Sequence, residues 1–219
     1  MYMRRGLRLL FGSSLIGVGS FLPVQANIGL SPWTAFAMGL SLQTGYALGS
    51  MVVAISVGVI VIDLLLKEKI GIGTIINGFW AGWIMNLMEY TAVIPLQESF
   101  LPGVLLLLAG LFVLSLGMYF NISPGLGAGP RDTLMVAIGR RFSRAPIGVV
   151  RSCLEGAALF AGWIMGAKVG VGTIISVFGI GLILQLTFRA LRFNVRAVKH
   201  ESMAETLKAL FIRSAAKPE

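Results

Sequence analysis

Two charged residues, four positions apart, interrupt a long apolar stretch of this sequence. Arg151 and Glu155 follow Pro146 in the run IGVVRSCLEGAALFAGW. In a membrane helix that starts near Pro146 and rises roughly 1.5 Å per residue, they lie about 7 and about 13 Å deep, on one face. Ionisable groups at such depths are costly and typically bind substrate or protons. The alternative is a static ion pair, in which each charge allows the other to be buried.

Two short segments rich in glycine and proline form a second candidate site. Their sequences are IGLSPWTAF and LGAGPRDTL. Each predicts unwound backbone followed by a helix N-terminus, whose free N–H groups and partial positive charge attract anions. The candidate binding residues are Gly29, Ser31, Gly127, Gly129, Arg131 and Asp132. The alternative is a pair of tight connecting loops, with Asp132 capping a helix.

Small polar residues recur at matched positions in two further segments, KIGIGTIIN and KVGVGTIIS. Thr74 in the first segment corresponds to Thr173 in the second, and Asn77 corresponds to Ser176. In membrane helices such residues line a cavity or hydrogen-bond to neighbouring helices. The sequence leaves both interpretations open.

The composition limits the chemistry and indicates an integral membrane protein. The 219 residues are 56% hydrophobic and 12% charged, with a mean hydropathy of +0.86. Several apolar runs reach the roughly 20 residues that cross a bilayer as a helix. Cys153 and His200 are the only residues of their types, so no zinc site, catalytic triad or intrachain disulfide is expected. We therefore expect no enzymatic activity, no cofactor and no metal.

The chain contains an internal duplication. Besides the blocks above, GSSLIGVGSFLP matches GLFVLSLGMYFN and FWAGWIMNL matches FGIGLILQL, at an offset of 98 residues that becomes 99 in the later blocks. Each copy reads as a membrane helix, a short Gly-Pro half-helix that is re-entrant or interfacial, and two more membrane helices. The first repeat, 1–95, has helices at about 8–26, 46–66 and 71–90 and a half-helix at about 31–43. The second, 96–190, has helices at about 100–122, 146–166 and 170–188 and a half-helix at about 130–142.

Basic residues predict the orientation of the copies. With the N-terminus inside, 16 of the 18 Lys and Arg residues fall on the cytoplasmic side, as the positive-inside rule requires. The net charge of +9 then reflects cytoplasmic segments rather than nucleic-acid binding. The expected fold is an all-α integral membrane protein of six transmembrane helices in two inverted three-helix repeats, with both termini cytoplasmic. Counting the half-helices as full spans gives eight helices and parallel copies, which the charges disfavour.

Both ends of the chain need separate interpretation. The first apolar segment looks like a secretory signal peptide, but its match in the second copy favours retention as the first membrane helix. Residues 191–219 form a basic tail in which Ser202 and Glu205 have the spacing of a capping box, and the tail predicts an amphipathic helix on the membrane surface. Near the same membrane face, Asp63 lies four residues before Lys67, which predicts a local ion pair.

These features resemble a known family. The blocks IGLSPW and LGAGPRD, the G-I-G-T block, the duplication and the length are similar to the YczE/YitT-type bacterial integral membrane proteins, over about residues 7–190. The resemblance implies a bacterial inner-membrane, multi-pass protein with a span count like the one above. It implies no catalytic residues.

The leading functional interpretation is a small secondary transporter or exporter of a small solute, anionic in the simplest case, by alternating access of the inverted halves. This interpretation rests on architecture. One alternative is a membrane accessory or assembly factor that docks a partner protein, or a second copy in a homodimer, through the basic tail. Another is the substrate-binding subunit of a vitamin importer, which the internal duplication disfavours. The expected partners are the lipid bilayer and the solute.

Overall fold

The computed structural model describes residues 2–127, 129–142, 147–198, 200–206 and 208, and this part of the chain is helical, without strands. Its α-helices are α1 (Tyr2–Ala26), α2 (Pro32–Thr44), α3 (Leu48–Leu65), α4 (Ile72–Thr91), α5 (Phe100–Ile122), α6 (Pro130–Arg141), α7 (Ile147–Ile164) and α8 (Val171–Ala190). A 3-10 turn, Val195–Ala197, follows α8. The Gly-Pro segments become α2 and α6, which at 13 and 12 residues are too short to span a bilayer.

Four of the described helices are long and apolar enough to cross a membrane: α1 from Met3 onward, α3, α5 and α8. The remaining two of the six predicted spans, α4 and α7, form helices but are not among these four. Asn77, Asn86 and Glu89 lower the apolar character of α4. The count of six transmembrane helices therefore stays a prediction.

Large apolar side chains cover the outside of the long helices. Leu65, Leu105 and Phe178 are 76%, 62% and 76% exposed. In water such exposure is unfavourable, whereas lipid chains are as apolar as these side chains. The surface is thus typical of a protein that contacts lipid.

Glycines allow the closest helix contact, between α1 and α5, the first helices of the two predicted repeats. A Cβ on Gly12 would lie 2.5 Å from the backbone nitrogen of Asn121, and one on Gly117 would lie 2.7 Å from that of Ile16. Because a methyl group cannot fit at these distances, the backbones of α1 and α5 approach only through glycine.

The short helices lie between long ones. α2 and α6 each contact both α3 and α7, while α4 packs against α1, and α8 against α5. A buried cluster joins five of these helices and contains Phe21, Ala37, Val52, Met85 and Leu134. This packing holds the N-termini of α2 and α6 in the interior of the helix assembly.

Candidate functional site

A cavity of about 240 Å³ lies where the eight described α-helices meet. Each of these helices supplies at least one lining residue, for example Ile16, Pro32, Ser56, Asn77, Leu111, Asp132, Glu155 and Ser176. The cavity combines a mostly apolar wall with a few polar and charged groups, which is the usual character of a small-molecule site.

The charged pair of α7 lines this cavity. Arg151 donates from Nε to Oε1 of Glu155 at 2.8 Å, and their side chains are 50% and 23% exposed. The predicted i, i+4 pairing is therefore present, and it lies beside the cavity rather than against lipid alone. A role of the pair in substrate binding stays a prediction.

The N-termini of α2 and α6 both reach the cavity, and neither carries a side-chain cap. Ser31 donates its hydroxyl to the Thr34 hydroxyl at 2.8 Å instead of capping α2. At the start of α6 the N-cap is Gly129, so the alternative in which Asp132 caps its helix does not hold. Each terminus presents backbone N–H groups without an intrahelical partner, together with the positive end of the helix dipole.

Arg131 connects the two short helices. Its guanidinium carbon lies 4.9 Å from the centroid of the Trp33 ring, a cation–π distance. The described residues offer Arg131 neither a salt bridge nor a hydrogen bond, and both Arg131 and Trp33 line the cavity. Burial lowers the pKa of Arg131 to about 10, against a smaller opposing effect of Asp132, so the side chain stays cationic at neutral pH.

Asp132 interacts electrostatically with the other charged residues of the site. Its side chain borders the cavity, and the protein atoms packed around it raise its pKa, as does the charge of Glu155, while Arg151, Arg131 and His200 act in the opposite direction. His200 also bonds to the Gly127 backbone, but burial dominates and lowers its pKa. Sequence reasoning missed His200, because a single histidine in a polar tail carries no signal of an electrostatic interaction with an aspartate far away in the sequence.

Four predicted site residues form joints outside the cavity lining. Gly29 and Gly127 have φ angles of +128° and +135°, and a Cβ on either would lie 2.8 Å from the hydroxyl oxygen of Thr173 or Thr74, respectively. The joints are matched, since the Gly172 nitrogen donates to the Ile28 carbonyl and the Gly73 nitrogen to the Leu126 carbonyl, both at 2.8 Å. These residues position the α2 and α6 termini instead of lining the space beside them.

Asn77 and Ser176, the other matched pair, do line the cavity. Ser176 is 1% exposed, and its hydroxyl has no hydrogen-bond partner among the described residues. The Asn77 side-chain oxygen is also buried and unpartnered within that part of the chain. Unsatisfied buried polar atoms are uncommon, and here two of them adjoin one cavity.

The predicted ion pair between Asp63 and Lys67 is wrong. Asp63 is fully buried, and both carboxylate oxygens lack a hydrogen-bond partner within the described ranges. Lys67 adopts a left-handed backbone conformation, φ 59°, in the turn after α3, so the helical i, i+4 geometry required for the pair is lost. In the same described part of the chain, no group of three or more His, Cys, Asp and Glu residues could hold a metal ion.

The start of the tail docks on the body of the protein. The capping box forms, with the Ser202 nitrogen donating to Glu205 at 2.7 Å and the Glu205 nitrogen to the Ser202 hydroxyl at 3.3 Å. Arg5 pairs with Glu201 at 2.7 Å, and the Met203 nitrogen donates to the carbonyl of Ile70. Leu207, Leu210 and Phe211, which complete the predicted amphipathic face, lie outside the described residues.

Comparison with known proteins defines the family. Residues 3–189 match the family of unknown function DUF6198. An uncharacterized protein of Haemophilus influenzae is 33% identical over 177 residues, covering 81% of this chain and 80% of its own. The uncharacterized membrane protein YczE of Bacillus subtilis is 30% identical over 180 residues, covering 80% of this chain and 81% of its own. YyaS of the same species is 27% identical, covering 84% and 90%.

No solved structure matches this chain. The named relative and the exposed apolar helices together make this a multi-pass membrane protein. The chain belongs to the DUF6198 family and is a YczE-type membrane protein.

Proposed function

We propose that this protein is a small secondary transporter of the bacterial inner membrane. Two inverted repeats move a small solute by alternating access, and the solute is not chemically altered. The main support for this function is that two matched helix pairs beside the cavity pack differently: α3 and α4 are in close contact, whereas α7 and α8 are not.

In the first half, α3 packs tightly against α4. A Cβ on Gly82 would lie 2.6 Å from the carbonyl oxygen of Gly49, and a Cβ on Gly49 would overlap the carbonyl oxygen of Gly82. This Gly–Gly contact, together with the hydrogen bond at 3.1 Å from the Ser50 nitrogen to Asn86, closes one side of the assembly.

In the second half, the matched glycines are apart. Gly148 and Gly181 follow Gly49 and Gly82 by 99 residues, and beyond the adjacent residues and the nearby backbone of the same helix no described atom lies within 4 Å of a Cβ built on either of them. α7 packs against α2 and α6, and makes at most marginal contact with α8 in the described part of the chain. One helix pair is therefore closed while its counterpart is open.

Such an asymmetry is what alternating access requires of two inverted repeats, because each half must adopt in turn the arrangement of the other. With the N-terminus inside, as the basic residues favour, the closed α3–α4 contact faces outward and the open α7–α8 side faces the cytoplasm. The cavity between them, with both short-helix N-termini at its wall, would then be the transport site.

Exchange measurements on the full chain in liposomes test this proposal. The liposomes are loaded with defined carboxylates, amino acids, sugars and nucleosides, and isotope-labelled versions are added outside. We expect protein-dependent exchange of at least one class, absent from empty liposomes. A folded protein that exchanges none of them, but is retained by a partner through its tail, would instead favour the accessory-factor alternative.

A further inference from the structure

We propose that the cavity binds a small aliphatic monocarboxylate, with its carboxylate held by Arg131 and by the N-termini of α2 and α6. The hydrocarbon part then occupies the apolar remainder of the cavity. This inference rests on the proposed function in treating the cavity as the transport site, but binding can be measured without flux.

Arg131 is the available cation of the site. Arg151 already pairs with Glu155 at 2.8 Å, whereas Arg131 makes neither a salt bridge nor a hydrogen bond to the described residues. Its guanidinium carbon lies 4.9 Å from the Trp33 ring centroid, and its N–H groups are available to a ligand. A planar, fixed guanidinium edge matches the two oxygens of a carboxylate in a bidentate arrangement.

Backbone N–H donors at the N-termini of α2 and α6 lie at the same cavity as Arg131. Pro32 and Pro130 occupy the first helical positions, so the first free N–H groups belong to the residues after them, including Trp33 and Arg131. Neither helix has a side-chain cap that would occupy these donors. Two uncapped helix starts at one cavity form an anion-binding arrangement.

A separate observation points to a ligand. The Ser176 hydroxyl is buried at the cavity wall, 1% exposed, and without a partner among the described residues. A buried hydroxyl without a hydrogen bond is unfavourable by about 1–3 kcal/mol in typical mutational data. A ligand carboxylate in the cavity can accept a hydrogen bond from this hydroxyl.

The charge balance favours a single negative charge. Arg131 and Arg151 are offset by Asp132 and Glu155, so the formal side-chain charge around the cavity is zero. Each helix N-terminus contributes about half a positive charge, so two of them leave roughly one unit of positive charge. A monoanion neutralises this excess, whereas a phosphate dianion would overshoot it beside two carboxylates.

The apolar part of the cavity wall indicates what the rest of the ligand is. Ile16, Met85, Leu111, Leu154 and Val177 supply apolar side chains to the cavity lining. At about 240 Å³, the cavity lies below the roughly 300–1,000 Å³ of sites for drug-sized ligands. A short aliphatic chain fits both the size and the apolar surface.

Calorimetric titration of the full chain in nanodiscs tests the inference, with empty nanodiscs as the reference. The probes are straight-chain carboxylates from acetate to octanoate, the matching alkylammonium ions, phosphate and sulfate. We expect carboxylate affinity to rise about fourfold per methylene until the cavity is full, and the other probes to bind at least tenfold more weakly. Equal or tighter binding of phosphate, sulfate or alkylammonium ions overturns the inference.

Substitutions locate the binding. Arg131→Gln should weaken carboxylate binding at least tenfold, while Arg140→Gln, on the same helix but paired with Glu68 at the surface, should leave it unchanged. If Arg131→Gln does not fold, Ser176→Ala provides the second measurement, with an expected loss of several fold. Wild-type affinity in whichever of these variants is folded overturns the inference.

The outcomes separate this inference from the proposed function. Carboxylate binding that depends on Arg131, without any exchange in liposomes, contradicts transport and leaves the site assignment intact. Exchange of a sugar or amine by a protein that binds no carboxylate supports transport and overturns the assignment.

Discussion

The guanidinium of Arg131 lies 4.9 Å from the centre of the Trp33 ring, and the two residues hold equivalent positions, 98 residues apart, in the two halves of the chain. Each follows the proline that opens a short helix. A cation–π contact therefore joins the matched helix starts at the cavity. Such a contact fixes the distance between α2 and α6 and keeps a charge at the cavity wall.

Replacement of Trp33 should show how much this contact contributes. Trp33→Phe keeps an aromatic face and should retain most of the stability, whereas Trp33→Leu should lose about 0.5–2 kcal/mol. The unfolding midpoint in detergent measures the difference, with Trp163→Leu at an exposed position of α7 as the control. Equal midpoints for the leucine and phenylalanine variants of Trp33 would show that the contact contributes packing only.

Glu155→Gln should abolish exchange while the protein still folds. Because a glutamine side chain keeps an oxygen that can accept the hydrogen bond from Arg151, the expected loss of stability is about 0.5–1.5 kcal/mol. Flux in liposomes and the unfolding midpoint are measured on the same preparation. Undiminished flux in the variant would show that the Arg151–Glu155 pair is a static structural feature.

Carboxylate binding should strengthen as the pH falls. Burial raises the pKa of Asp132 above the ordinary aspartate value of about 4, so lowering the pH through that raised pKa removes a negative charge from the cavity wall. An anion is then bound more tightly, with uptake of a proton. Titrations with butyrate at pH values that keep butyrate itself ionised measure the effect.

The matched variant Asp132→Asn should bind butyrate tightly and lose this part of the pH dependence. Arg131, Arg151, Glu155 and His200 are the other ionisable groups that act on Asp132. His200→Gln is the control for a contribution from the tail, and it should leave the Asp132 effect in place. An unchanged pH profile in Asp132→Asn would assign the titration to another group.

The sequence predicted the positions of the site better than their roles. Gly29 and Gly127 marked the right segments because glycine tolerates positive φ, but the same property places their backbones against Thr173 and Thr74, outside the cavity. The spacing of Asp63 and Lys67 predicted an ion pair that does not form. Spacing along a helix does not show whether a side chain is buried by other helices, as Asp63 is.

The sequence could not predict that the two helix pairs pack differently. Gly82 and Gly181 are identical residues at matched positions of a repeat, yet in the folded protein Gly82 is in tight contact and Gly181 is not. Under the proposed alternating access, each half adopts both arrangements in turn, so similar sequences do not determine which half is closed in one conformation.

Alanine substitutions at Gly82 and Gly181 test the difference in packing between the two helix pairs. Gly82→Ala should destabilise the observed conformation by about 1–3 kcal/mol, because its Cβ would lie 2.6 Å from the Gly49 carbonyl oxygen and from the Val53 side chain. Gly181→Ala fills open space inside α8 and should raise stability by about 0.5–1 kcal/mol through helix propensity. If α7 and α8 must close during transport, Gly181→Ala should nevertheless slow exchange, because the added methyl obstructs the same Gly–Gly approach that α3 and α4 make. Spin labels at Val149 and Leu182, which are exposed neighbours of the two glycines, report this closure as a shorter distance when butyrate is bound, in a Cys153→Ser background. A Gly181→Ala protein with wild-type exchange, or a 149–182 distance that is short and constant in all conditions, would contradict alternating closure of the two helix pairs.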